Sequence, residues 1–194
     1  KEFNLNVSTA ERALQGVVNA RAFLDAGFTT IRDLGNAGNF ADAALVRFLG
    51  VRTRPAQAGE PGFFAKSLEP TDAQIPGPTT YISGKIISPF GGQFRVIPEH
   101  PDIGRHDYFY ADTHDEIRKA IRENLHYGAT WIKIVVDDFR YTYSADDLRF
   151  IVEESARAGV PVAAHCVTDE GARHAIEAGV ASIEHGYEMS DATL

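Results

Sequence analysis

Residues 123–134 read ENLHYGATWIKI. A helical segment closes at Tyr127-Gly128, the apolar run ATWIKI follows, and a polar side chain, Lys133, sits near its end. Glycine just past a helix supplies the left-handed residue that terminates it. Outward along the chain the same grammar recurs: Asp25-Ala26-Gly27 then FTTIRD, Ala158-Gly159 then VPVAAH, and Ala178-Gly179 then VASIEH. Runs of Val, Ile, Ala and Thr without clean alternation suit parallel strands buried on both faces. A further run, TTYISG at 79–84, fits as a strand between the first of these units and the second.

The intervening helices carry start signals. Ser8 with Glu11, and Thr113 with Glu116, match the capping box. Ser144 precedes Asp146 and Asp147, and Thr168 precedes Asp169 and Glu170, acids that favour a helix N-terminus. Helix and strand thus alternate with short connections, which predicts an α/β fold and favours a (β/α)8 TIM-type barrel over an open sheet. The stretch from Gly50 to Pro78 breaks the rhythm: it holds five of the nine prolines and reads as a long loop or insertion. Residues 88–112, with Gly91-Gly92, also read as loop, and they follow a strand, where barrel enzymes place substrate-binding residues.

Composition bounds the partners. With 194 residues, 44% hydrophobic and 24% charged, the chain suffices for one domain with a substantial core. The net charge of −8 and the absence of a Lys/Arg-rich run argue against nucleic acid or an anionic membrane as the main partner. No stretch approaches the roughly 20 apolar residues of a membrane span, and Lys1 leads into a polar stretch instead of a signal-peptide core. The single cysteine, Cys166, precludes an internal disulfide, so nothing requires an oxidising compartment. Localisation stays open. The charge balance says little about a small-molecule or short-peptide substrate.

Lys133, His165 and His185 each fall at the C-terminal end of an expected strand, the active-site face of a barrel. Singly, a strand-end histidine is more often a hydrogen-bonded structural residue. A lysine between Ile132 and Ile134 is harder to dismiss, because burying its charge costs several kcal/mol unless the charge is paired or removed. Two chemistries suit it: a Schiff base with a carbonyl substrate, or a carbamate, formed with carbon dioxide, that bridges two metal ions. Two histidines beside an anionic bridge make a good zinc site, which favours the metal reading.

WIKI, then VAAHC, then SIEHG resembles the metal-dependent amidohydrolases, and more narrowly the imidazolonepropionase-related group with its Xaa-Pro dipeptidases, short-peptide carboxypeptidases and ochratoxin-hydrolysing amidases. TTIRDLGNAG, IPGPTTYISG, ENLHYGATWIKI and AIEAGVASIEHG carry the resemblance over nearly the whole chain. It implies two divalent metal ions, usually zinc. Lys133 would be the carboxylated lysine bridging them, with His165 and His185 binding the second ion. Water activated between the ions would attack an amide carbonyl whose oxygen a metal polarises.

The resemblance also sets out departures. The family's first strand ends in His-x-His, which this sequence lacks, and its eighth ends in a metal-binding aspartate that acts as general base, beyond Leu194. Residues 1–194 would then be a partial barrel domain holding strands 2 to 6, with strands 1, 7 and 8 absent, and the piece alone is expected to be inactive. Where some relatives carry a histidine after Gly-Gly, this chain has Gln93, with Arg95 two residues on. Arginine suits a substrate carboxylate through paired hydrogen bonds. The loop after strand 4 adds Arg140 and Tyr141 as substrate contacts, and Tyr143 or Tyr187 could donate to the tetrahedral oxyanion. His114, His126 and His174 fall on helices, while His100 and His106 lie in the loop after strand 3. Cys166 should alternate to the side opposite His165 and pack in the core.

The leading expectation is hydrolysis of amide bonds in dipeptides or N-acyl amino acids, of the Xaa-Pro dipeptidase or carboxypeptidase kind. The alternatives are a cyclic-amide hydrolase, a Schiff-base lyase using Lys133, and an inactive fragment. Relatives of this kind are commonly homo-oligomers.

Overall fold

The computed structural model describes residues 6–35, 38–49, 75–93, 95–138 and 141–194. Residues 50–74, most of the expected insertion, lie outside them. The elements run α1 (Thr9–Asp25), β1 (Thr30–Asp33), α2 (Ala41–Phe48), β2 (Thr79–Ile82), β3 (Ile86–Ser88), β4 (Tyr108–Tyr110), α3 (His114–His126), β5 (Ile132–Val135), α4 (Ala145–Ala156), β6 (Val162–Cys166), α5 (Asp169–Ala178) and β7 (Ser182–His185). Every strand pairing is parallel, β1 with β2 and then β4-β3-β5-β6-β7. This is the α/β arrangement of a parallel barrel, of which the chain supplies an arc in two sheets, joined where Thr130 N and Trp131 N donate to Ile82 O.

Local chemistry explains the boundaries. Ser8, Thr113 and Ser144 each close a capping box with Glu11, Glu116 and Asp147, and Thr168 accepts a hydrogen bond from Gly171 N. Each such cap is worth about 1 kcal/mol. Gly27, Gly128, Gly159 and Gly179 all sit at positive φ just before their strands. One layer of core fills the space between sheet and helices: Ile87, Ile132 and Ile134 from the strands meet Ile117, Ile121, Leu148 and Ile151 from α3 and α4, all fully buried. Each such side chain contributes roughly 1.5–3 kcal/mol.

Two elements depart from the expectation. The strand expected at 79–84 ends at Ile82 as β2, and a separate strand, β3, follows at Ile86–Ser88. Across the break, Asp42 accepts from Gly84 N at 2.8 Å, while the buried Asn124 accepts from Lys85 N at 3.0 Å and donates to Lys85 O at 2.8 Å. Ladder bonds lost there are thus replaced by two side chains, as buried backbone groups require. In the stretch expected as loop, Tyr108–Tyr110 forms β4 against β3. It is three residues long and lacks the glycine-then-strand pattern.

The arc curves enough for its ends to touch. Arg32 on β1 donates to Ser182 Oγ (3.1 Å) and Glu184 Oε1 (3.3 Å) on β7, and its guanidinium lies 4.6 Å from the centre of the Trp131 ring. A flat sheet would hold β1 and β7 several strand spacings of about 4.8 Å apart.

Gly84 has φ 65°, and a Cβ there would lie 2.5 Å from Asn124 Oδ1. Gly84→Ala should therefore cost about 2–3 kcal/mol, read as a lowered denaturation midpoint. Gly128→Ala, where a Cβ would meet nothing within 4 Å, should cost about 1 kcal/mol from the backbone alone.

Candidate metal centre

The register of β5, β6 and β7 builds the site. Val135 pairs with His165 and His165 with Glu184, while Lys133 pairs with Ala163 and Ala163 with Ser182. Residues paired in a parallel ladder share a face, and alternate residues share it too. Lys133, His165 and Glu184 therefore line the barrel interior. Ile132, Ile134, Ala164 and Cys166 face the helices, and Cys166 is buried in that core, its thiol pushed up to about 12 by burial.

His185 breaks the alternation. Its ladder partner is Cys166, which would aim it at the helices. Instead its backbone takes φ 74°, and its ring stands 4.6 Å from that of His165 at 69°. A non-glycine residue in this region carries strain of order 1–3 kcal/mol, and such strain clusters at functional sites. The two imidazoles converge as a pair of ligands to one ion would.

Lys133 is 5% exposed. Burial pushes its amine down to about 8, opposed by Glu184 and Cys166 and reinforced by Arg32. Burial, and then the Lys133 charge, hold the His165 imidazole below its ordinary range, while Asp138 acts in the opposite sense. Neutral imidazole is the metal-binding form. The lowered pKa of Lys133 enlarges the share of neutral amine, the form that takes up carbon dioxide. The donor set thus fits one side of a metal site. Among the described residues no group of three or more His, Cys, Asp and Glu side chains gathers around a common point.

Two aspartates absent from the sequence reading complete the surroundings. Asp137 is buried and accepts from Val167 N (2.8 Å), Thr168 N (3.0 Å) and Thr168 Oγ1 (2.5 Å), fixing the turn that follows His165. Asp138 Oδ2 accepts from Gln93 Nε2 at 2.8 Å and lies 3.6 Å from His165 Nε2. Gln93 in turn accepts from Tyr108 Oη at 2.9 Å, and its Nε2 is 3.4 Å from both His165 ring nitrogens. The signal was present as consecutive acids directly after an apolar strand end that carries Lys133.

The other candidates are dispersed. Tyr143 is 1% exposed in the helix-side core and donates to Ala111 O at 2.6 Å, so its hydroxyl is engaged away from Lys133 and His165. Tyr187 is exposed, its ring 5.6 Å from that of His185. Tyr141 is exposed and lines a slot beside Asp138. Arg95 is exposed, and Arg140 lies outside the described residues. His114, His126 and His174 are helical, and His114 stacks on Phe150 with its Nε2 3.1 Å from Asp147 Oδ1.

A curved parallel sheet with histidines and a buried lysine at strand ends defines a class, and the chain belongs to it: the amidohydrolase family matches residues 7–194. An ochratoxinase of Aspergillus niger is 32% identical over 138 residues, covering 59% of this chain and 29% of that protein. A solved prolidase complexed with N-methylphosphonate-L-proline is 27% identical with a TM-score of 0.62, covering 97% of this chain and 46% of that one. A Xaa-Pro dipeptidase with methionine bound in its active site has the same fold, at a TM-score of 0.73 and 22% identity, covering 97% and 44%. The chain spans less than a third of the length of the curated relatives it matches and less than half of these solved ones.

The folded state binds the Lys133 proton less tightly than the unfolded chain does. Its charge penalty is therefore complete below about pH 8 and fades as pH rises toward the ordinary lysine value of 10.5. In metal-free protein, Lys133→Met should raise stability at pH 7 by up to about 3 kcal/mol. That gain should shrink steadily between pH 8 and 10.5 in melts followed against pH. A gain independent of pH would assign it to packing.

Proposed function

We propose that the protein to which this chain belongs hydrolyses amide bonds in dipeptides or N-acyl amino acids at a binuclear metal centre, with zinc the expected metal. The observation that carries the reading is the convergence of His165 and His185, held by a strained backbone at His185, on the interior face that Lys133 also lines. Membership of the amidohydrolase family and the likeness to an ochratoxinase and a prolidase support amide hydrolysis as the reaction class.

When bound, divalent ions supply Lewis acidity to the carbonyl oxygen and lower the pKa of the attacking water. The residues of this chain hold and tune that chemistry. His165 and His185 present neutral imidazoles, and the depressed pKa of His165 keeps its lone pair available near neutral pH. Lys133, as its carbamate, would change from a buried cation into an anionic oxygen donor, which removes the burial penalty of the ammonium. Asp137, a buried carboxylate, fixes the chain two and three residues after His165 by accepting from Val167 N, Thr168 N and Thr168 Oγ1. Tyr187, exposed with its ring 5.6 Å from that of His185, is our candidate donor to the oxyanion.

In the full-length protein purified without chelator, about two divalent ions per chain are expected. His165→Ala and His185→Ala should each lower metal content and cut kcat/KM for a Xaa-Pro dipeptide by at least about 1000-fold, since each removes a ligand. Lys133→Ala should abolish activity under either a hydrolase or a Schiff-base mechanism. Borohydride trapping separates the two: no adduct with a carbonyl substrate is expected, and an adduct on Lys133 would sink the metal reading.

A further inference from the structure

We infer that Arg32 is a positioning residue for the metal centre: reaching across the barrel interior from β1, it clamps Glu184 and so holds the strained turn that aims His185 at His165. This rests on the proposed metal site and adds to it a residue from a strand that carries none of Lys133, His165 and His185.

The turn shows what has to be held. Gly186 N donates to Glu184 O at 3.1 Å across His185, whose φ is 74°. That is the rare, strained form of the γ-turn, with His185 at its centre. Backbone of this kind persists only where its surroundings over-determine it. After His185, the same Gly186 N also reaches Cys166 O at 3.0 Å, which ties the turn to β6. Before it, the fixed point is the Glu184 carboxylate. Glu184 Oε1 accepts from Ser182 Oγ at 2.7 Å and from Arg32 Nη2 at 3.3 Å.

Arg32 is itself held. Its Nη1 donates to Ser182 Oγ at 3.1 Å, so guanidinium, hydroxyl and carboxylate close a ring of hydrogen bonds. Its guanidinium carbon lies 4.6 Å from the centre of the Trp131 ring, and Trp131 stands two residues before Lys133. One side chain thus touches both the segment that leads to Lys133 and the strand that ends in His185. A guanidinium offers a fork of donors and a flat face for an indole, which an ammonium does not. Without Arg32, Glu184 would keep only Ser182, and the chain at His185 could relax to extended backbone. Strand alternation would then turn the imidazole to the helix side with its ladder partner Cys166. His165 lies within the regular strand β6 and has no such dependence.

The test is cobalt binding to the full-length protein stripped of metal, with affinity from chelator competition and ligand geometry from the visible absorption of the bound ion. Arg32→Met should weaken binding by about 10–100-fold, the usual cost of losing an outer partner of a metal ligand. It should also alter the absorption spectrum and lower kcat with KM unchanged. Arg32→Lys should recover part of the affinity, because it keeps the charge and loses the fork. Glu184→Gln should weaken binding too, and the double variant should lose no more than Arg32→Met alone, because the two residues act as a unit. Wild-type affinity and spectrum in Arg32→Met overturn the inference even where its denaturation midpoint falls, since a brace of the fold alone would do that. Additive losses in the double variant overturn it as well. Should Arg32→Met fail to fold, Arg32→Lys and Glu184→Gln decide the matter, and wild-type binding by both overturns it. No cobalt bound by the wild type rejects the metal centre and the inference together. Cobalt bound without hydrolysis of L-leucyl-L-proline rejects only the proposed reaction, and the variant spectra still decide the role of Arg32.

Discussion

The register between β5, β6 and β7 is the constraint on which the rest of this structure depends. Two parallel ladders fix which residues share a face, and a slip of one residue would send Lys133 and His165 into the helix-side core. The slip is blocked from the other side, because Ile132, Ile134, Ala164 and Cys166 would then face the interior and empty the layer they fill with α3 and α4. Hydrophobic burial on the outer face thus sets the position of the polar side chains on the inner one. Lys133, buried while charged, detracts from stability.

The interior holds more charge than a barrel core normally carries. Arg32, Lys133 and Glu184 come from β1, β5 and β7, with β2/β3 and β6 between them, in keeping with the rule that alternate strands supply one interior layer. Arg32 meets Glu184 across that layer and rests on Trp131. Glu184 acts to raise the Lys133 pKa and Arg32 to lower it, so the pairing partly cancels the influence of each on the amine, and burial remains the dominant influence. These interior side chains are therefore polar and, for Arg32 and Glu184, paired with each other.

A second set of buried polar groups serves the chain itself. Asn124 and Asp42 satisfy the backbone where β2 gives way to β3, and Asp137 satisfies the turn between β6 and α5. Each replaces ladder or helix hydrogen bonds that the local geometry forbids. At Gly171 a Cβ would lie 2.0 Å from Asp137 Oδ2, so the smallest residue is what allows the carboxylate to approach the first turn of α5.

The sequence by itself determined the repeated helix-glycine-strand unit, because positive-φ glycines, capping boxes and uninterrupted apolar runs are local effects. It also marked Lys133, His165 and His185, because a charged lysine inside an apolar run is anomalous and the three fall at the ends of consecutive expected strands. Tertiary structure decided the rest. Helix α2 starts at Phe40 in the left-handed region with no side-chain cap, so it had no local signature. Strand β4 exists through its partner β3. Tyr143, read from its place in a loop as an oxyanion donor, is turned into the core by the packing of α3 and α4, and Asp138 gains its place from Gln93, 45 residues away. The approach of His185 to His165 rests on one backbone angle that alternation argues against. Side-chain direction beyond a strand end depends on contacts distant in sequence, and only the folded chain brings those together.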